Sequence, residues 1–214
     1  MDWSIYNEQG QRKYLTSNEI DSFLYQARNQ SDSVKSFCFI QAMTGCRISE
    51  ALSLSLKCID FSSGHIVIDT LKKRDKKVYR SIPIPEWLLS LISHQINSGI
   101  LKEDKLWPWS RMTAYRRVCE VMAEAGIVGP HACPRGLRHS FAVRAIQSGV
   151  PLNLVQRWLG HSDIKTTAIY TNVMGPEERA IAARMWGKSQ EPDLDFSELS
   201  PTQGIDDYVD RAAA

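Results

Sequence analysis

The chain lacks the marks of several common protein classes. No apolar run approaches the ~20 residues that cross a bilayer, and the polar start MDWSIYNEQG has no basic stretch followed by an apolar one. Neither a membrane span nor a signal peptide is therefore expected. The five cysteines (Cys38, Cys46, Cys58, Cys119, Cys133) are odd in number and form no CxxC pair. That argues for reduced thiols in a cytosol rather than a disulfide frame or a zinc site. There is no Walker loop, no GxGxxG, no HExxH and no Cys/His cluster at metal spacing, so the usual nucleotide and zinc chemistries have no apparatus. Acidic residues are plentiful but fall in no metal-binding pattern, so neither a metal nor a cofactor is expected.

What is present describes a folded body with a basic bias. With 214 residues, 43% of them apolar and 23% charged, the chain can bury a core and is neither disordered nor fibrous. The net charge of +2 hides an asymmetry: residues 191–214 carry −6, leaving +8 on residues 1–190. Clustered Lys and Arg gain affinity for phosphates by releasing counterions, so a polyanionic partner is one reading of that body and an ordinary charged surface is the other. The acidic tail 191–214, with Pro192, Pro201 and a closing run of alanines, is expected to be flexible or ordered only against a partner.

The pattern along residues 1–190 predicts one mostly α domain with a small antiparallel sheet. Thr16 and Glu19 make a capping box before a helix through about residue 28 that buries Ile20, Phe23 and Leu24. A second helix is expected over 34–43, stopped near Gly45, with a short one over 47–54. HIVIDTL and VYRSIPIP flank the charged run KKRDKK and predict a two-stranded hairpin. Further helices are expected at about 86–97, 111–125, 138–148, 152–159, 164–170 and 177–186, punctuated by glycines. Tyr115, Val118, Val121, Met122 and Ala125 form the apolar stripe of the helix 111–125, with Arg116 and Arg117 off it.

Arginine and histidine recur at glycine turns. Arg47 lies in TGCRISEAL, Arg138 and His139 in PRGLRHSFA, and His161 in WLGHSDIKTTAIY, nine residues before Tyr170. An arginine beside free N–H groups at a helix start is a natural phosphate clamp. Taken singly, each has a plain alternative: Arg47 paired with Glu50, His161 as a helix cap, Tyr170 as a core aromatic.

Together these segments resemble the tyrosine recombinases of the phage-integrase family. TGCRISEAL is similar to the family's first arginine box, TGxRxSE, and GLRHSFA with LGHSDIKTTAIYTNV is similar to its second box and its LGHxxxxTTxxY segment. The resemblance runs from about Tyr14 to Trp186. It implies a helical catalytic domain with a small β-hairpin sheet, cutting DNA through a 3′-phosphotyrosyl intermediate. By it Arg47 and Arg138 hold the scissile phosphate, Tyr170 is the nucleophile, His161 hydrogen-bonds the phosphate, and Glu50 holds Arg47. Lys72, or Lys73 since the turn is longer than the family's common form, would be the general acid. Such chemistry needs fixed cations and a proton donor but neither metal nor nucleotide.

The chain departs from the family in two ways. Arg135 stands where the second box normally opens with His; it can donate to a phosphate but cannot act as a base at neutral pH. The catalytic pattern also begins within ~15 residues of Met1, so the family's helical N-terminal DNA-clamping domain is expected to be missing, as in short inversion and mobile-element recombinases. The resemblance further implies double-stranded DNA as partner and a homo-tetramer on paired sites. In that assembly PEERAIAARMW, with Ile181, Met185 and Trp186, docks on a neighbour. It also implies residence in the bacterial cytoplasm, on nucleoid or plasmid. The hairpin bases Arg74, Lys76, Lys77 and Arg80 are expected to touch phosphates, and Arg111 or Arg117 to read bases. A DNA-binding regulator on the same fold without strand exchange is the competing class.

Overall fold

Capping chemistry sets the first helix. The computed structural model describes residues 4–70 and 78–172, and α1 (Ser17–Arg28) begins where Thr16 accepts from the Glu19 N–H while the Glu19 carboxylate reaches back to Thr16. Ile20, Phe23 and Ala27 are its buried face, with Leu24 only partly buried. Helix α2 (Asp32–Thr44) is buried along most of its length, as its apolar run FCFI requires. It ends at Gly45, whose φ of 59° is left-handed. A Cβ there would lie 2.6 Å from Phe141 Cδ1, so both the backbone and the space demand glycine. The short α3 (Ile48–Ala51) follows with Arg47 as its N-cap.

The sheet has three antiparallel strands rather than two, in the order β1 (Ile59–Asp60), β2 (His65–Asp69), β3 (Tyr79–Pro83). Ile66 pairs with Ile82 and Ile68 with Arg80, all on the buried face. The two-residue β1 is too short to show an alternating pattern. Lys72, Lys73, Arg74, Lys76 and Lys77 lie outside the described residues, as do the helix expected at 177–186 and the tail 191–214.

Helices α4 (Glu86–Asn97), α5 (Arg111–Glu124), α6 (Pro134–Gln147), α7 (Leu152–Leu159) and the four-residue α8 (Lys165–Ala168) follow, with a 3₁₀ turn over Ile169–Asn172. Two expectations need correction. Tyr115 is 44% exposed and stands off the buried face of α5, which is Ala114, Val118, Val121 and Met122. And α6 starts at Pro134, a favoured first-turn residue, so Arg138 and His139 sit in its second turn rather than at a helix start. Gly136 had suggested a break. It lies inside the helix instead, and it is a glycine because the His131 carbonyl approaches so closely that a Cβ would lie 1.9 Å from its oxygen.

The apolar interior falls into two clusters. The larger joins α1, α2, α3, the sheet, α4 and α5 around Phe37 and Trp107. The smaller joins Ile5, Ala142, Val143, Ala145, Val155, Leu159, Ile169 and Tyr170. Both clusters draw on α6, through Leu137 in one and Ala142 in the other.

Candidate active site

Arg47 and Glu50 are joined twice. The Glu50 carboxylate accepts from the Arg47 backbone N–H and from Arg47 Nη1, each at 2.7 Å. Glu50 is fully buried and its second partner is Arg80, whose Nη2 donates at 2.6 Å. Burial alone would raise the Glu50 carboxyl, but the hydrogen bond and charge of Arg80, with those of Arg47, hold it below its ordinary value.

Arg80 thus corrects a sequence expectation. It is 5% exposed and cannot be a hairpin contact to DNA. Its Nη1 donates to Thr70 Oγ1 at 2.9 Å and its Nε to the Trp158 carbonyl at 2.7 Å, tying the hairpin to the end of α7 and to Glu50. The period of β3 carries the reason: Arg80 is on the same inward face as Ile82.

Arg138 is buried as well. Its Nη1 donates to the Gly45 carbonyl at 2.8 Å and its Nη2 to the Leu159 carbonyl at 2.6 Å. Two of five N–H donors are so occupied, leaving others for an anion. Burial and then the charge of Arg47 lower it to about 10, which is still a cation at neutral pH. The closeness of Arg47, Glu50, Tyr170 and Arg80 is written in its electrostatics.

His161 follows a Schellman turn in which Gly160 N–H bonds the Arg157 carbonyl and His161 N–H the Gln156 carbonyl. Its Nδ1 is 2.9 Å from Thr167 Oγ1, which fixes the ring and leaves Nε2 for another partner. Burial and the cations Arg138 and Arg47 push His161 down to about 3, so it is neutral at pH 7.

Tyr170, on the 3₁₀ turn, is 2% exposed. Its hydroxyl meets His139 Nδ1 at 2.9 Å. Burial pushes the phenol up to about 12, against the pull of Arg138. His139 was singled out in the sequence only as the neighbour of Arg138. Successive helix residues point about 100° apart, so Arg138 reaches the Gly45 and Leu159 carbonyls while His139 reaches the tyrosine. Arg135 is exposed, with no hydrogen bond or ion pair among the described residues. It is close enough to act electrostatically on His139.

Arg47, Arg138, His161 and Tyr170 therefore share one neighbourhood, joined by Glu50, Arg80 and His139. Lys72 and its alternative Lys73 lie outside the described residues. Among the described residues no group of three or more His, Cys, Asp or Glu side chains could hold a metal ion.

In fold the chain is a mostly helical domain of the tyrosine-recombinase catalytic type, and the sequence agrees: residues 13–175 match the phage integrase family. The chain belongs to that family. It is 34% identical over 142 residues to a tyrosine recombinase XerD of Neisseria meningitidis serogroup A, covering 61% of this chain and 47% of that protein. To the XerD of Shewanella oneidensis it is 30% identical over 177 residues, 74% of this chain and 56% of that one. The chain thus spans about half the length of the curated relatives it matches. Among solved structures, XerA recombinase superposes with a TM-score of 0.70 at 22% identity, over 82% of this chain and 65% of that one. XerH bound to its difH substrate superposes with a TM-score of 0.65 at 25% identity, over 85% and 60%. Among the described residues no helix is long and apolar enough to cross a membrane.

Proposed function

We propose that this protein is a site-specific recombinase that cuts and rejoins double-stranded DNA through a phosphotyrosine on Tyr170. The observation carrying this reading is the convergence of Arg47, Arg138 and His161, delivered by three separate segments, on the neighbourhood of one buried tyrosine hydroxyl. On this reading Arg47 and Arg138 spread the charge that develops on the scissile phosphate, His161 donates to it through Nε2, and Arg135 adds a third cation at the rim. The Tyr170 oxygen bonds to phosphorus as the bond to the 5′ oxygen breaks, and Lys72 or Lys73 gives that oxygen a proton. The phosphotyrosine keeps the energy of the broken bond for rejoining.

The relatives' names support the same activity, as does the recombinase bound to DNA among the structural neighbours. Arg74, Lys76 and Lys77 would touch phosphates; Arg111, or Arg117 once released from its 3.2 Å pair with Glu120, would read bases. The residues 177–186 would join four copies on two sites through a heterologous, closing contact, at work on nucleoid or plasmid DNA in a bacterial cytoplasm. Residues 1–190 would form the catalytic domain and 191–214 an appended acidic tail.

The test is a nicked duplex that traps the covalent stage. Wild type should give a protein–DNA band that survives denaturation, and Tyr170→Phe should bind equally but give none. An adduct formed by the phenylalanine variant would overturn the assignment.

A further inference from the structure

A phenol at neutral pH must lose its proton to become a nucleophile, and burial makes Tyr170 harder to ionise still. Arg135 cannot take that proton because a guanidinium has no acceptor, and the Nδ1 of His161 is occupied by Thr167. One acceptor already stands at hydrogen-bonding distance.

We propose that His139 is a catalytic residue: its Nδ1, 2.9 Å from the Tyr170 hydroxyl, takes the phenol proton as the phenol oxygen bonds to phosphorus. This rests on the reading of Tyr170 as the nucleophile. The distance is within the ~2.6–3.2 Å that direct proton transfer requires. The rings are held together, centroid to centroid, at 5.7 Å with planes 55° apart. α6 fixes one partner and the small apolar cluster around Ile169 the other.

The electrostatics keep the acceptor empty. Burial first, and then Arg138 and Arg135 on α6 and Lys13 on the N-terminal segment, push His139 down to about 4, so its lone pair is free at pH 7. So depressed an imidazole is a weak base in the free protein. An anionic phosphate seated among Arg47, Arg138 and Arg135 offsets that cationic field and raises its basicity, so the base strengthens as substrate arrives. In the step the Tyr170 O–H bond breaks, the O–P bond forms and the P–O5′ bond breaks. The imidazole becomes imidazolium, and the leaving oxygen is protonated from the hairpin lysine. In rejoining, the imidazolium returns its proton to the departing phenol oxygen.

The experiment measures the rate of covalent adduct formation on a pool of nicked duplexes randomised over about 30 base pairs. It uses wild type, His139→Ala and His139→Gln, each also prepared with a fluorinated, more acidic tyrosine at position 170. Both substitutions should slow adduct formation roughly 10²–10³-fold while leaving pool binding unchanged. With the acidified tyrosine, which needs less help, the loss should shrink to under tenfold. A glutamine variant near the wild-type rate, or the same loss with either tyrosine, would reduce His139 to a packing or positioning role and overturn the proposal. Should His139→Ala fail to fold, His139→Gln with the two tyrosines carries the same comparison. Wild type giving no adduct on any duplex would sink the nucleophile reading, and this proposal with it. A wild-type adduct with undiminished His139 variants would sink this proposal alone.

Discussion

Arg47 and Tyr170 sit in one site but are held by opposite means. Arg47 is fixed by charge: a buried carboxylate takes two arginines, one of which is itself stitched to the hairpin and to α7. Tyr170 is fixed without charge, by one hydrogen bond to a neutral imidazole and by the smaller apolar cluster. The contrast follows from the tasks proposed for them. A cation that must meet an anion cannot be reoriented cheaply, so its fixed counter-charge is built in. A nucleophile must keep its proton until the phosphate arrives, and a low-charge, buried pair achieves that. The two halves should therefore answer differently to mutation and to pH.

The largest difference should appear at Glu50. Glu50→Ala leaves Arg80 buried with no carboxylate and should cost about 3–5 kcal/mol in urea unfolding. Replacing Arg80 by Met in the same chain should recover part of that loss, because no unpaired charge is then left buried. A loss under about 1 kcal/mol would mean that the charge-held half is no more rigid than its partner.

Next in size is Gly45, the turn that presents its carbonyl to Arg138. Gly45→Ala must adopt a φ near 59° and press a methyl into Phe141. The two effects together should cost about 2–4 kcal/mol, and adduct formation should fall further than stability explains, because Arg138 shifts with the carbonyl. Arg138→Ala should lower adduct formation by about 10²–10³-fold, the loss typical of one fixed donor to a developing charge. Equal losses in stability and activity from Gly45→Ala would show that Arg138 does not depend on that turn.

Tyr170→Phe should be mild by comparison. It removes a hydrogen bond between neutral partners, so stability should drop by about 1 kcal/mol or less by thermal or urea unfolding, although covalent adduct is abolished. A loss like that of Glu50→Ala would erase the contrast between the halves.

How much of this was legible in the sequence depends on whether a residue's role is local. The capping box at Thr16 and Glu19, the helix at 86–97 and the helix at 152–159 are set by neighbours in the chain, and all three stand where the pattern put them. The link between Arg47 and Glu50, three residues apart, was legible for the same reason. Arg80 and His139 were not. Arg80 looks like one more base of a charged hairpin, and only its distant partner Glu50 turns it inward. The role of His139 depends on a hydroxyl 31 residues away. The early start of α6 was hidden because Gly136 signals a break until the His131 carbonyl that needs the space is seen.

The smallest predicted effect separates the halves by pH. His139 and His161 are pushed down to about 4 and about 3, against an ordinary value near 6.5. Below pH 6.5 the unfolded chain binds protons at these positions that the folded chain refuses, so their stabilising effect is complete above 6.5. It is lost progressively as pH falls toward the folded values. Between pH 6.5 and 5.5 each should contribute a drop of about 1 kcal/mol or less, and His139→Gln and His161→Asn should each flatten that part of the stability profile. Glu50 behaves in the opposite way: its carboxyl is held below its ordinary value, so its pairing survives this window and weakens only in stronger acid. Glu50→Ala should therefore shift the profile down without changing its slope from 6.5 to 5.5. Urea midpoints measured at half-unit steps give the answer. A slope unmoved by either histidine variant, or changed by Glu50→Ala, would show that the tyrosine side is not the half of the site that senses protons in mild acid.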